Sequence, residues 1–412
     1  MRLVYRFNIR RSNDLYRLCV ISKNLYNQAL YTVKNELRVN NKWLFYKDLN
    51  RIMQSVTNLD GQVNYRLLKA QVAQQCLMLL DKNIKSYIKS IKRYSKDKCG
   101  YNGCPRMPKY KKDMNLLVYP NQCCTIKDGY IHLSKELKIR IPQYDEYKER
   151  LQKLNQVRIL PMFNKSFIIE IVYTVENEIN NTLDSNAYAS VDLGVNNLAT
   201  LVMPNEHPML FNGRILKSKN QYFNKAISDL KTKLTNGQRT SKRIRGLWLR
   251  RDNLMRDIFH KVSRIIVDEM IRHGIGNIVV GYNQGWKDSI NFNKKNSQTF
   301  VYIPYEKLIG YLKYKCEMAG IRFILNEESY TSKCDALALE PICKHEKYQG
   351  RRVKRGLFKS STGKIINADV NGALNIMRKA VGNSEIVSRI VDSGRLFRPI
   401  GVNMFEHIKI YE

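Results

Sequence analysis

Acid is the scarce class in this chain: 36 Asp and Glu stand against 71 Lys and Arg over 412 residues, a formal net charge of +35. An excess of that size opposes compaction unless a polyanion neutralises it, and nucleic acid is the natural partner. The other polyanion, an anionic membrane, is set aside because no apolar run approaches the ~18 residues of a spanning helix. The first residues, MRLVYRFNIRRSND, alternate like a strand and carry no signal-peptide core, so the expected compartment is the cytoplasm. Nine Cys, an odd number and scattered, do not make a disulfide framework. No Gly-rich phosphate loop of the Walker type is present, and His260, His273 and His407 have no spacing to a Cys or Ser that suggests nucleophilic catalysis. Charge alone fixes only the class of partner, since a basic structural RNA-binding protein has it too.

What is present is enough apolar residue, 43%, to rule out wholesale disorder, in a length that suggests two or three domains. Residues 3–9 read as a strand; 13–38 and 64–95 read as helices, the second with Leu67, Val72, Cys76, Leu79 and Leu80 at helical spacing. That helix ends in a basic run containing Lys82, Lys85 and Arg93, read as an RNA contact with plain solvation as the alternative. From 96 to 180 the chain changes to short strands separated by turn signals such as Lys127-Asp128-Gly129. Together with strand 3–9 they predict a small β-barrel over 1–12 and 96–182, with 13–95 inserted as a helical segment. The basic, Pro-punctuated CPRMPKYKK reads as an exposed loop that offers Lys109, Lys111 and Lys112. The 25 Tyr supply stacking surface beside such cations. NNTLDSN marks the main boundary. Residues 183–412 then read as strands 187–193, 197–203 and 208–213, helices about 218–235 and 241–273, strand 277–283, helix 304–319, strand 321–327, a basic insertion 330–365 and helix 369–380, an α/β order.

Two carboxylates stand out. Asp192, in ASVDLGVNNLATLV, ends an apolar strand before a Gly turn; Asp369, in NADVNGALNIMRKA, opens a helical pattern. A carboxylate at a buried strand end binds or caps something, and an Asp at a helix start is ordinarily a cap. Between them NIVVGYNQGWK is a buried-strand pattern ending at Gly281, and Trp286 beyond it reads as core. The next strand, IRFILNEESYTSKC, ends in Glu327 and Glu328, with Ile324, Asn326 and Glu328 on one face by strand alternation.

The pair DLGVNNLAT and NADVNGALNI resembles the first and third nuclease motifs of the TnpB family, transposon-encoded RNA-guided nucleases, and the stretch GYNQGWK…NFNKKNSQTFVYIPYEKLIGYLKYK…EESYTS resembles one subgroup of it. The resemblance implies an RNase H-like (RuvC) nuclease domain over 183–412, preceded by a wedge-like barrel with a recognition insertion. It implies a guide RNA and double-stranded target DNA as partners, and an endodeoxyribonuclease using two Mg²⁺ ions (or Mn²⁺) held by Asp192, Asp369 and a third acid. In most of the family the middle strand ends in Glu, where this chain has Gly281. The subgroup resemblance points to a displaced Glu reaching the same place without fixing which one; because the neighbouring strand end must replace what Gly281 lacks, Glu328 is taken ahead of Glu327. By the same resemblance the helical pair 214–273 lies along the guide–target hybrid, presenting Lys242, Arg243, Arg245, Arg250 and Arg251. Many relatives carry two CxxC zinc pairs in the insertion; Cys334, Cys343 and His345 give at most three ligands at poor spacing, so no structural zinc is expected. What remains there is basic, QGRRVKRGLFKSSTGK, with Arg351, Arg352, Lys354 and Arg355 read as phosphate contacts. A nuclease-dead RNA-guided repressor and a basic structural RNA-binding protein stay open as alternatives.

Overall fold

The computed structural model describes residues 1–10, 12–99, 101, 103–163, 166–176, 182–235, 237–283, 303–354, 356–383 and 385–404; Trp286, Arg355 and His407 lie outside the described residues. The chain divides into two units, Met1–Glu176 and Asn177–Glu412.

The first unit contains β1 (Arg2–Ile9), α1 (Asn13–Asn40), α2 (Tyr46–Met53), α3 (Ala70–Lys96), β2 (Leu117–Pro120), β3 (Thr125–Lys127), β4 (Tyr130–His132), β5 (Lys138–Arg140), α4 (Tyr144–Tyr147), β6 (Leu154–Pro161) and β7 (Phe167–Thr174). The Ser12 side chain accepts a hydrogen bond from the Leu15 N–H and caps α1; Asn41 in the left-handed conformation ends it. Among the described residues the strands make an antiparallel sheet in the order β1-β7-β6-β2 and a separate three-stranded meander, β3-β4-β5. The expected small barrel is not formed as one continuous sheet among the described residues: β1 and β2 stand at the edges of the larger sheet. The physical reason is in the core. Leu25, Leu30, Leu77 and Leu80 of α1 and α3 share one apolar cluster with Val157, Ile159, Ile169 and Ile171 of the sheet and with Ile131 and Ile139 of the meander, so helices and both sheets bury one common core.

The second unit begins with β8 (Asp184–Asp192), β9 (Asn197–Val202), β10 (Met209–Asn212), α5 (Arg214–Thr232), α6 (Lys242–Arg272) and β11 (Ile275–Gly281). There follow α7 (Tyr305–Met318), β12 (Arg322–Asn326), β13 (Arg351–Lys354), β14 (Leu357–Lys359), β15 (Ile365–Asn367), α8 (Ala368–Val381), α9 (Glu385–Asp392) and β16 (Ile400–Val402). The main sheet has the order β12-β11-β8-β9-β10-β16. β8, β9 and β10 are antiparallel, while β11 runs parallel to β8 and β12 parallel to β11. β11 is buried along its whole length, as expected of a central parallel strand. α6 packs Ile258, Val262 and Ile266 onto this sheet, and Leu247 and Leu254 face a small second cluster with Phe223 and Ile227 of α5. The insertion folds into a small sheet, β13-β14-β15, that leads directly into α8.

Candidate active site

The parallel strands β8, β11 and β12 end side by side. Val191 is paired with Val280, and Gly281 with Asn326, so Asp192, Gly281 and the residues after Asn326 meet at one sheet edge. A Cβ on Gly281 would lie 3.2 Å from Oε2 of Glu328 and 2.4 Å from Cδ1 of Ile376. Glu328 therefore occupies the space over the strand that bears no side chain. Its own backbone is held there by its N–H, which donates to Asn283 Oδ1 at 3.1 Å. Glu327 turns the other way: it is exposed and ion-paired with Lys379 of α8, with the Ser329 N–H donating to it at 3.0 Å. Lys379 holds the Glu327 carboxyl below its ordinary value. The structure thus brings Glu328 and not Glu327 toward Asp192.

α8 supplies the third acid. Its N-cap is Asn367, whose Oδ1 accepts from the Asp369 N–H at 2.9 Å and the Val370 N–H at 3.3 Å. The capping role is taken, which leaves the Asp369 side chain for the site. Asn197 Nδ2 donates to Asp369 Oδ2 at 2.7 Å. A Cβ on Gly372, one turn along α8, would sit 2.9 Å from Asp192 Oδ2, so only glycine lets the Asp192 carboxylate approach the helix this closely. Tyr305, buried at the start of α7, donates its hydroxyl to the Gly194 carbonyl at 2.9 Å and fixes the turn after Asp192. Asn197, Gly372 and Tyr305 fall within the stretches that carry the family resemblance, but their part beside the acids is visible only in the fold.

The electrostatics match the geometry. Asp192 is pushed well above the usual carboxylate range, first by burial and then by the charges of Asp369 and Glu328, with Arg352 and the Leu193 N–H opposing. Burial, with Glu327 adding, pushes Glu328 up to about 7. Arg352 of β13 brings a cation to the site, 4.0 Å from Asp369 Oδ1 and half exposed. Asp192, Glu328 and Asp369 are a hard-oxygen donor set, and their chemistry fits Mg²⁺ or Mn²⁺. Among the described residues no three His, Cys, Asp or Glu side chains already close around a single point. In the insertion, Cys343 Sγ lies 3.4 Å from His345 Nε2, while Cys334 Sγ points to the Cys343 carbonyl.

Most of the basic residues read from the sequence are at the surface: Lys82, Lys85, Arg93, Lys109, Lys112, Lys242, Arg243, Arg245, Arg250, Arg351, Arg352 and Lys354 are exposed and Lys111 half-buried. Arg251 is a correction. It is buried, donates from Nε to Asn220 Oδ1 at 2.8 Å and stacks on Trp248, so it ties α5 to α6. No helix among the described residues is long and apolar enough to cross a membrane.

Sheet order and strand-end acids define an α/β fold of the RuvC type, and comparison with known proteins agrees. The OrfB_IS605 family, described as a probable transposase, matches residues 170–287, and the Cas12f1-like TNB domain matches 305–376. The TnpB-like protein ORF457 of Acidianus two-tailed virus is 26% identical over 210 residues, 48% of this chain and 42% of the viral protein, so the chain spans less than half of that relative's length. The cryo-EM structure of the Cas12f1-sgRNA-target DNA complex resembles this chain with a TM-score of 0.50 at 13% identity, over 88% of this chain and 82% of that one, a likeness of fold. In its parts the chain is thus similar to the OrfB_IS605 and Cas12f1-like TNB families and to a TnpB-like viral protein.

Proposed function

We propose that this chain is an RNA-guided DNA endonuclease that hydrolyses target-DNA phosphodiesters with Mg²⁺, directed by a transposon-derived guide RNA. The observation that carries the reading is the acid trio Asp192, Glu328 and Asp369, with Glu328 standing over Gly281. These three residues would hold the metal, two Mg²⁺ ions or Mn²⁺. Bound metal of this kind stabilises both the attacking and the leaving oxygen of an in-line displacement. The chain's own part is positioning. Asn197 orients Asp369, Tyr305 and Gly372 set the Asp192 carboxylate against α8, and Arg352 presents a guanidinium to phosphate at the rim. Sequence choice would come from base pairing with the guide RNA against double-stranded target DNA, with the exposed cations of α3, α6 and β13 tracking phosphates. The two-unit chain would divide the work: the sheet-and-helix unit, 1–182 with its helical segment 13–95, for recognition, and 183–412, with helical pair 214–273 and insertion 330–365, for cleavage.

The test is cleavage of target DNA by the purified complex with guide and Mg²⁺. Asp192→Ala, Asp369→Ala and Glu328→Ala are expected to abolish cleavage while RNA binding persists. Glu327→Ala is expected to cut like the parent, because an exposed pair with Lys379 is worth about 0–1 kcal/mol. Loss of cleavage in Glu327→Ala with retention in Glu328→Ala would reverse the assignment. Gly281, together with acids that do not yet close around one point, keeps one second reading: an RNA-guided DNA-binding repressor without cleavage. Target binding by the parent with no cut, when guide, target and Mg²⁺ are all supplied, would favour it.

A further inference from the structure

In the first unit a cleft of about 540 Å³ lies between α3 and the loop that crosses it over Pro105–Lys111. One wall is a single helix face, with Asn83, Ser86, Tyr87 and Ser90 at helical spacing. The other wall is the basic loop, and it is built, not loose. The Lys111 N–H donates to Asn27 Oδ1 at 2.8 Å while Asn27 Nδ2 donates to the Lys111 carbonyl at 2.9 Å, a two-way clamp to α1. Four residues on, the Asn115 N–H donates to the Cys19 carbonyl at 3.1 Å. Tyr110 stands 45% exposed with Lys34 Nζ 4.3 Å from its ring centre, and Arg106 and Lys109 are exposed beside it. No acidic side chain lines the cleft among the described residues.

Three chemistries converge here: an aromatic face, short amide and hydroxyl groups, and cations. Their joint complement is a base, its polar edge and a phosphate. The volume falls within the roughly 300–1,000 Å³ of small-ligand sites. A duplex does not fill it, because bases stacked within a duplex offer no free face to the Tyr110 ring. We propose that this cleft holds one unpaired nucleotide, its base on Tyr110, its edge against Asn83, Ser86 and Ser90, and its phosphate on Arg106 and Lys109. The proposal rests on the reading that nucleic acid is the partner; the nucleotide belongs either to the RNA or to an unwound DNA strand.

Ultraviolet crosslinking of the purified complex, followed by peptide mass spectrometry, tests it. A nucleotide adduct is expected on the peptide bearing Tyr110 or Tyr87. An adduct present before target DNA is added assigns the RNA; one that appears only afterwards assigns the DNA strand. Tyr110→Ala and Arg106→Ser, both at exposed positions, are expected to remove the adduct and to weaken binding of a single-stranded oligonucleotide about fivefold or more, as loss of one stacked base does, with duplex binding almost unchanged. Tyr110→Phe keeps the ring and is expected to keep the adduct. Absence of any adduct at these peptides in both arms, or equal weakening toward single strand and duplex, overturns the proposal. A complex that cuts its target yet shows no adduct here sinks this inference alone; an adduct in a protein that never cuts sinks the nuclease reading alone.

Discussion

At the scale of single residues, Gly281 does two things at once. It leaves room for Glu328, and it is pressed by Ile376, whose Cδ1 would be 2.4 Å from an added Cβ. Ile376 is itself buried in α8 and has little room to yield. Gly281→Ala is therefore expected to cost about 1–3 kcal/mol by overpacking, read as a lower urea midpoint at unchanged slope. Ile376→Ala removes both clashing atoms, Cδ1 and Cγ1, the latter 2.9 Å from that Cβ, so the double variant is expected to be more stable than the two single changes predict by addition. Strict additivity would show that this steric clash is not the cause. Restoring an acid at 281 meets the same obstacle. Asp192 and Asp369 are legible in the sequence because each sits where a periodic pattern stops, and an acid there is conspicuous. The choice between Glu327 and Glu328 is only half legible. Alternation holds to Asn326, the end of β12. Beyond it, the direction of each side chain is set by Asn283 and Lys379, which come from other elements.

At the scale of elements, the packing of α6 on α7 gives a pH dependence. His260 stacks on Tyr311 with ring centres 4.0 Å apart, and Lys315 donates to the His260 carbonyl at 2.6 Å and to Ser263 Oγ at 2.8 Å. Burial, then the charges of Lys315 and Arg256 against that of Asp257, holds His260 down to about 4. Between about 4 and the ordinary value near 6.5 the unfolded chain binds the proton that the folded one refuses, so this contribution is present above about 6.5 and is lost as pH falls toward 4. His260→Phe, which keeps the stack, is expected to flatten that part of the stability–pH curve; an unchanged slope would refute the assignment. Burial likewise lowers Lys315 to about 8, so its burden falls as pH rises above 8. The insertion makes a second case. Asp335 is fully buried and accepts from Ser360 Oγ at 2.8 Å and from the Ser361 N–H at 2.7 Å, while Arg378 of α8 reaches the Glu340 carbonyl at 2.9 Å. Polar contacts hold this segment to α8 where thiolates would otherwise serve. Asp335→Ala is expected to cost about 2–3 kcal/mol, and a zinc chelator to leave the parent's melting temperature unchanged; one zinc per chain by elemental analysis would contradict this. None of this network was legible, because β13, β14 and β15 are three or four residues long and the hydrogen-bond partners of Asp335 and Arg378 lie some 25–40 residues away. The long helices and the buried β11 were legible from periodicity and length. α2 was not, being only eight residues between the two stretches read as helices.

At the scale of the whole molecule, the charge of +35 must be set against specific binding. A basic structural RNA-binding protein and a guided nuclease both release counterions on binding, and both lose affinity as salt rises, with a slope of about −0.7 to −0.9 per phosphate neutralised. Salt dependence alone cannot separate them, but its local origin can be tested. Lys242, Arg243, Arg245 and Arg250 lie exposed along the first turns of α6, whereas Arg251 beside them is buried against Asn220. Replacing the four exposed residues by Gln is expected to reduce the salt slope by roughly one unit for each phosphate no longer neutralised and to leave the melting temperature near the parent's. Arg251→Gln is expected to do the reverse, lowering stability by removing the tie between α5 and α6, with little change in slope. The same purified protein answers the question of class. A guided nuclease is expected to carry one enriched RNA species that survives the salt wash which strips random host RNA, since a shaped site adds interactions that salt does not screen. Recovery of random RNA alone, released in step with ionic strength, would return the chain to the structural RNA-binding reading and leave the matched acids at Asp192, Glu328 and Asp369 without a purpose.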